Sequence, residues 1–162
     1  SSMTIFETTI LNVSGVAADG AMAKTAMTRD TTMAMSQAAE DAVLRPVECG
    51  GFGHELRASL AARVARLAAD ETLATHYLAE AGGHAALTDL NETGATQGQA
   101  AIVAFVDKVA NQTRDVVAED ITGLLETGVS DADIVRLCEL VAFLAYQTRV
   151  ISGLRLMQGV GA

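Results

Sequence analysis

Few side chains in this sequence have the types and spacing that chemistry needs. They are three histidines (His54, His76 and His84), two cysteines (Cys49 and Cys138) and a tyrosine–arginine pair, Tyr146 and Arg149. His76 could move protons, with Glu55 or Glu71 as its carboxylate partner. Its bland alternative is a half-buried imidazole bonded to a carboxylate or to backbone, and both glutamates read equally well as solvated helix charges. Tyr146 and Arg149, three apart, lie on neighbouring sides of one helix face. Arg149 is either half of a structural ion pair or the charge of a pocket for a carboxylate ligand, although no second basic residue is evident for such a pocket. Cys138 falls on an apolar helical stripe, where a thiol acts as a small hydrophobe. Cys49 sits in a Gly-rich loop and is the more reactive of the two, yet neither lies in a motif that activates a thiol. The histidine spacing matches no metal-ligand signature. Gly50-Gly51-Phe52-Gly53 is not a phosphate loop, because no strand precedes it and no Lys-Ser/Thr follows. No metal and no cofactor is expected.

The elements that must position these residues are helices. The chain has one proline in 162 residues and 30 alanines. Proline breaks helix interiors and alanine is the strongest helix former, so the expected fold class is all-α. Half the residues are hydrophobic and mean hydropathy is +0.29, ample for one core. The expected organisation is an irregular segment over 1–20 and a single all-α domain over 21–162. Net charge is −9. That balance argues against nucleic acid or an anionic membrane as partner, since both need positive charge at contact. No apolar run approaches a membrane span. The N-terminus lacks the basic start and apolar stretch of a signal peptide, so the cytoplasm is the expected compartment. There a structural disulfide between Cys49 and Cys138 is not expected.

Along the chain, residues 21–44 contain no Gly or Pro and read as one interrupted helix or two short ones, ended by Pro46. HELRASLAARVARLAAD is amphipathic: Leu56, Leu60, Val64 and Leu67 form the stripe, and Arg57, Arg63 and Arg66 sit largely off it. Asp70 reads as the N-cap of the next helix, which Gly82-Gly83 terminates. Residues 84–95 read as a loop. Thr96 and Gln99 have capping-box spacing before a helix carrying Ile102, Phe105, Val106 and Val109. Another helix is expected from about Val116 to Thr127. Ser130 and Asp133 then open the strongest helix, expected over about Asp131 to Leu156. It is apolar on most of its circumference, which predicts a central position and a homo-oligomer.

LAARVARLAADETLATHYLAEAG (residues 60–82), AIVAFVDKV (101–109) and EDITGLLETGVSDADIVRLCELVAFLAYQTRVISGLRLM (119–157) together carry a resemblance. They resemble the carboxymuconolactone decarboxylase / alkylhydroperoxidase D superfamily, and look closest to its peroxidase-related subgroup. The resemblance implies an all-α, oligomeric fold of about six helices. It implies redox-linked, antioxidant chemistry built on a Glu, a CxxC pair and a His four residues on. His76, followed by Tyr77, matches the His, Arg149 matches a recurrent Arg, and Glu55 lies near the acid position. The cysteine positions fall on Ala69 and Thr72, or on Leu73 with a one-residue gap. No sulfur is present at any of them, so the resemblance implies His76 and Glu55 as catalytic candidates and Tyr77, Tyr146 and Arg149 as binding candidates, with the thiol peroxidase route lost. The implied partners are a second copy of the chain and a small organic acid or hydroperoxide. The remaining alternatives are a non-catalytic oligomeric scaffold and a peroxidase that uses Cys49 or Cys138.

Overall fold

A computed structural model describes residues 7–16 and 30–159. Seven α-helices run through them: α1 (Thr9–Ser14), α2 (Asp30–Leu44), α3 (His54–Leu67), α4 (Glu71–Leu78), α5 (Ala100–Asn111), α6 (Ala118–Glu126) and α7 (Asp131–Met157). Short 3-10 segments, Gly82–Thr88 and Thr113–Asp115, follow α4 and α5. No described residue is in a strand, as the composition predicts. Helix α1 lies inside the segment expected to be irregular. The part of the expected 21–44 helix before Asp30 lies outside the described residues.

Helix α3 is at the centre, packed by α2, α4, α5 and α7. Leu60, Ala61, Ala62 and Ala65 have no exposure at all. Here the structure departs from the expected amphipathic pattern, because Arg57 and Arg63 are each only 3% exposed. Both are held by fixed acceptors. Arg57 donates from Nε to the Phe52 carbonyl (2.7 Å), from Nη1 to Val43 (2.8 Å) and from Nη2 to Cys49 (2.6 Å). Burial holds this guanidinium below its ordinary pKa, with the nearby Arg136 adding to the effect. Arg63 grips Asp107 through Nε (2.7 Å) and Nη2 (2.8 Å), and its Nη1 reaches the Leu87 and Asp89 carbonyls. Buried guanidiniums are tolerated because every nitrogen finds an acceptor.

The ends of α3 and α4 show how local sequence sets the path. The Asp70 carboxylate accepts from Leu73 N at 3.0 Å, the N-cap expected for α4. Its oxygens also take the Arg155 guanidinium at 3.0 and 3.2 Å. Ala69, between the two helices, is left-handed at φ +59°. For a residue with a Cβ that costs on the order of 1 kcal/mol, and the turn is fixed by bonds from Ala69 N to Arg66 O and from Asp70 N to Ala65 O, both 2.9 Å.

The capping box read at Thr96 and Gln99 does not form. Helix α5 begins at Ala100 with Gln99 at its N-cap and no side-chain cap. Gly98 is left-handed at φ +71°, so Thr96 precedes a turn rather than a helix. The expectation at Ser130 holds: its Oγ accepts from Asp133 N at 3.2 Å, and α7 runs to Met157. Asp133 does not bond back to Ser130 but accepts Gly51 N at 3.0 and 3.2 Å. A Cβ on Gly50 or Gly51 would lie 2.5 Å from the Asp133 carboxylate, so the Gly-Gly pair is what admits this clamp. No helix among the described residues is long and apolar enough to cross a membrane.

Candidate functional site

Two places gather polar side chains against apolar walls. The first is built around Glu40 of α2, which has no exposed surface. Its Oε1 lies 2.5 Å from the Tyr77 hydroxyl of α4 and 3.3 Å from Gln147 Nε2 of α7. Its Oε2 accepts from Thr9 Oγ1 of α1 at 2.9 Å, from Arg45 Nη2 at 2.8 Å and from Gln37 Nε2. The Tyr77 hydroxyl also lies 2.6 Å from Gln147 Oε1, so its single proton is shared between two acceptors. Four helices meet on one carboxylate. Burial first, and then the Glu40 charge, hold the Tyr77 phenol far above its ordinary pKa. Burial alone would lower the Arg45 pKa, but Asp41, Glu40 and Glu80 together raise it. The acceptor positions of this carboxylate are taken up by neighbours, and that makes it a joint between helices.

His76 stands at the edge of this cluster, half-buried, with Nε2 3.4 Å from Thr9 Oγ1 and its ring edge-on to Tyr77 at 5.2 Å. Its two candidate partners are engaged elsewhere. Glu71 pairs with Arg66 at 3.0 Å. Glu55 lies over the Gly82-Gly83 turn, accepts from Gly83 N at 3.4 Å and is exposed. His76 and Tyr77 thus share a neighbourhood, and Glu55 belongs to a different one.

The second place is a cleft of about 310 Å³ between α3, α5 and α7. Val64, Leu67, Ala68, Ala110, Val141 and Ala145 make its walls, and Asn111, Thr148 and Arg149 supply the polar groups. Arg149 has no ion pair with any described residue. Tyr146 opens onto another surface. Its hydroxyl is 2.8 Å from Ser36 Oγ, its ring is 6.1 Å from Phe143, and with Met35 and Ala142 it lines an open apolar groove between α2 and α7. The expected neighbouring sides of α7 therefore face two separate clefts.

Both thiols are free and half-buried. Burial, then the Glu139 charge, push the Cys138 thiol above its ordinary pKa, which disfavours the thiolate. The Cys49 Sγ lies 3.7 Å from the Pro46 carbonyl. Ala69 and Thr72 are exposed near the start of α4, and Leu73 is buried. Among the described residues no group of His, Cys, Asp and Glu has a metal-binding arrangement. Glu40, Gln37 and Gln147 carry no sequence signal of their own, since each is a single polar residue in an ordinary helical stretch. Comparison with known protein families, with curated proteins and with solved structures finds no match to this chain.

Proposed function

We propose that this chain is a carboxymuconolactone decarboxylase-like protein that has given up the thiol peroxidase route and binds a small organic acid in the cleft beneath Arg149. One observation carries the reading: Arg149, exposed and without an ion pair among the described residues, lines a cleft whose walls are mostly apolar. A carboxylate would take the guanidinium and the carbon skeleton would take the walls. His76 reaches Thr9 rather than this cleft, so acid–base chemistry by His76 on the bound acid is not part of the reading. A raised Cys138 pKa and the absence of sulfur at residues 69, 72 and 73 support the loss of peroxidase chemistry.

The test is thermal unfolding with hexanoate, on wild type and Arg149→Gln. A ligand at a hundred times its Kd adds about 2.7 kcal/mol of stability, or roughly 5–10 °C in Tm for a chain of this size. Wild type should shift and Arg149→Gln should not. No shift in wild type, or an equal shift in both, overturns the reading. Peroxide reduction with a dithiol donor that is lost in Cys49→Ser or Cys138→Ser would do the same. A homo-oligomer is the companion reading, supported by the groove of about 570 Å³ beside Met35, which is 68% exposed. A stable monomer near 16.8 kDa in sedimentation would sink it.

A further inference from the structure

Helix α7 has two sides that could pack. One faces the core through Ile134, Leu137, Val141 and Leu144. On the other, Val135, Cys138, Ala142, Ala145, Arg149, Ser152 and Leu156 recur at alternating intervals of three and four, the spacing of a helix-on-helix seam. Cys138 is half-buried and the other six are exposed, Val135 at 55% and Leu156 at 65%. The seam runs between the two hollows described above. Ala142 edges the groove beside Met35, and Ala145 and Arg149 edge the cleft. Its charges stand on either side of a centre: Glu139 before Ala142, and Arg149 after Ala145. Both are exposed, and neither has an ion pair among the described residues. At 1.5 Å per residue they are about 15 Å apart along the helix, too far to meet within one chain.

We infer that a second copy of this chain lies antiparallel across the seam, α7 against α7, with Glu139 of each copy paired to Arg149 of the other. This rests on the homo-oligomer reading and specifies its interface. Setting Ala142 against Ala145 of the second copy puts Val135 against Ser152 and Cys138 against Arg149. Glu139, next to Cys138, then reaches Arg149 of the second copy, and the two-fold axis repeats the pair. Alanines at the axis let the helices approach closely. Parallel, in-register packing would instead set Glu139 on Glu139 and Arg149 on Arg149, so charge selects the antiparallel arrangement. The guanidinium has five N–H donors, so the cross pair leaves an edge for an acid in the cleft, which the second copy helps to wall.

The experiment is sedimentation at low salt on wild type, Glu139→Arg, Arg149→Glu and the double swap. Both positions are exposed, so the swaps should keep the fold, which far-ultraviolet circular dichroism checks. Wild type should be a dimer. Each single swap turns two attractive pairs into two repulsive ones and should weaken the dimer roughly ten- to hundredfold. The double swap restores opposite charges and should return the dissociation constant to within about threefold of wild type. Single swaps that leave a wild-type dimer intact, or a double swap that does not recover it, overturn this interface and leave the homo-oligomer reading standing. A wild type that stays monomeric at micromolar concentration overturns both.

Discussion

Tyr77→Phe removes one oxygen from the crowded polar cluster around Glu40 and leaves the ring in place, so no large cavity opens. Two interactions go: the 2.5 Å contact with the Glu40 carboxylate and the 2.6 Å contact with Gln147 Oε1. The phenol has one proton to donate, so the loss at neutral pH should be that of one hydrogen bond to a charged group, about 1.5–3 kcal/mol. For a domain of this size that is roughly 3–12 °C in Tm. The pH dependence gives an independent signature. Burial and the Glu40 charge raise the Tyr77 pKa in the folded state. Below about pH 10 both states keep the phenolic proton and Tyr77 adds no slope. Above it the unfolded state releases the proton and the folded state does not. Native protein then binds more protons than unfolded, and stability falls by up to about 1.4 kcal/mol per pH unit. Tyr77→Phe lacks that slope, so the gap between wild type and variant should narrow above pH 10. Urea titrations followed by far-ultraviolet circular dichroism measure both effects. A variant within 0.5 kcal/mol of wild type at neutral pH (about the scatter of an ordinary surface change), or a gap that stays constant into alkali, refutes the reasoning.

Arg63→Met keeps the unbranched apolar stem of a side chain that is 3% exposed but strands Asp107 and two carbonyls. Asp107 is partly exposed, so the loss should sit near the low end of the range for breaking a buried pair, about 3 kcal/mol by urea titration. A loss under about 1 kcal/mol would show that water replaces the guanidinium freely. Asp120→Asn probes the acid side. The hydrogen bond from Lys108, then that from Val117 N, lowers the Asp120 pKa. Its contribution is therefore present above the unfolded value near 3.9 and is lost as pH falls through the folded value. The variant should be less stable than wild type at neutral pH, with the gap closing below about pH 4. A gap unchanged through acid would exclude the Lys108 pairing as its origin.

The helices whose signals are local were legible in the sequence. Ser130 and Asp70 carry their caps within three residues, and α3 and α7 announce themselves by apolar periodicity. What escaped was non-local. Helix α1 is only TILNVS, too short for a periodic signal, and its bonds go to Gln37, Glu40, Arg155 and Gln158. Arg57 and Arg63 sit off the apolar stripe, and only the fold brings carbonyls and Asp107 to them. Glu40 gathers Thr9, Tyr77 and Gln147 from sequence separations of 31, 37 and 107.

The joint between the two ends of the chain has a kinetic consequence. Arg155 and Gln158 hold the Val13 and Ser14 carbonyls across separations of 142 and 144 residues. During synthesis α1 emerges first and waits for the last turns of α7, and Tyr77 waits for Gln147. Contacts this distant close late, because the loop entropy must be met before they form. Glu40 therefore keeps its water for most of the folding reaction, and its burial becomes favourable only near the end, once these partners are in place. In pulsed hydrogen exchange during refolding, the amides of α1 should gain protection in the same final phase as the C-terminal turns of α7. Early protection of α1 would show that the N-terminal helix docks without them.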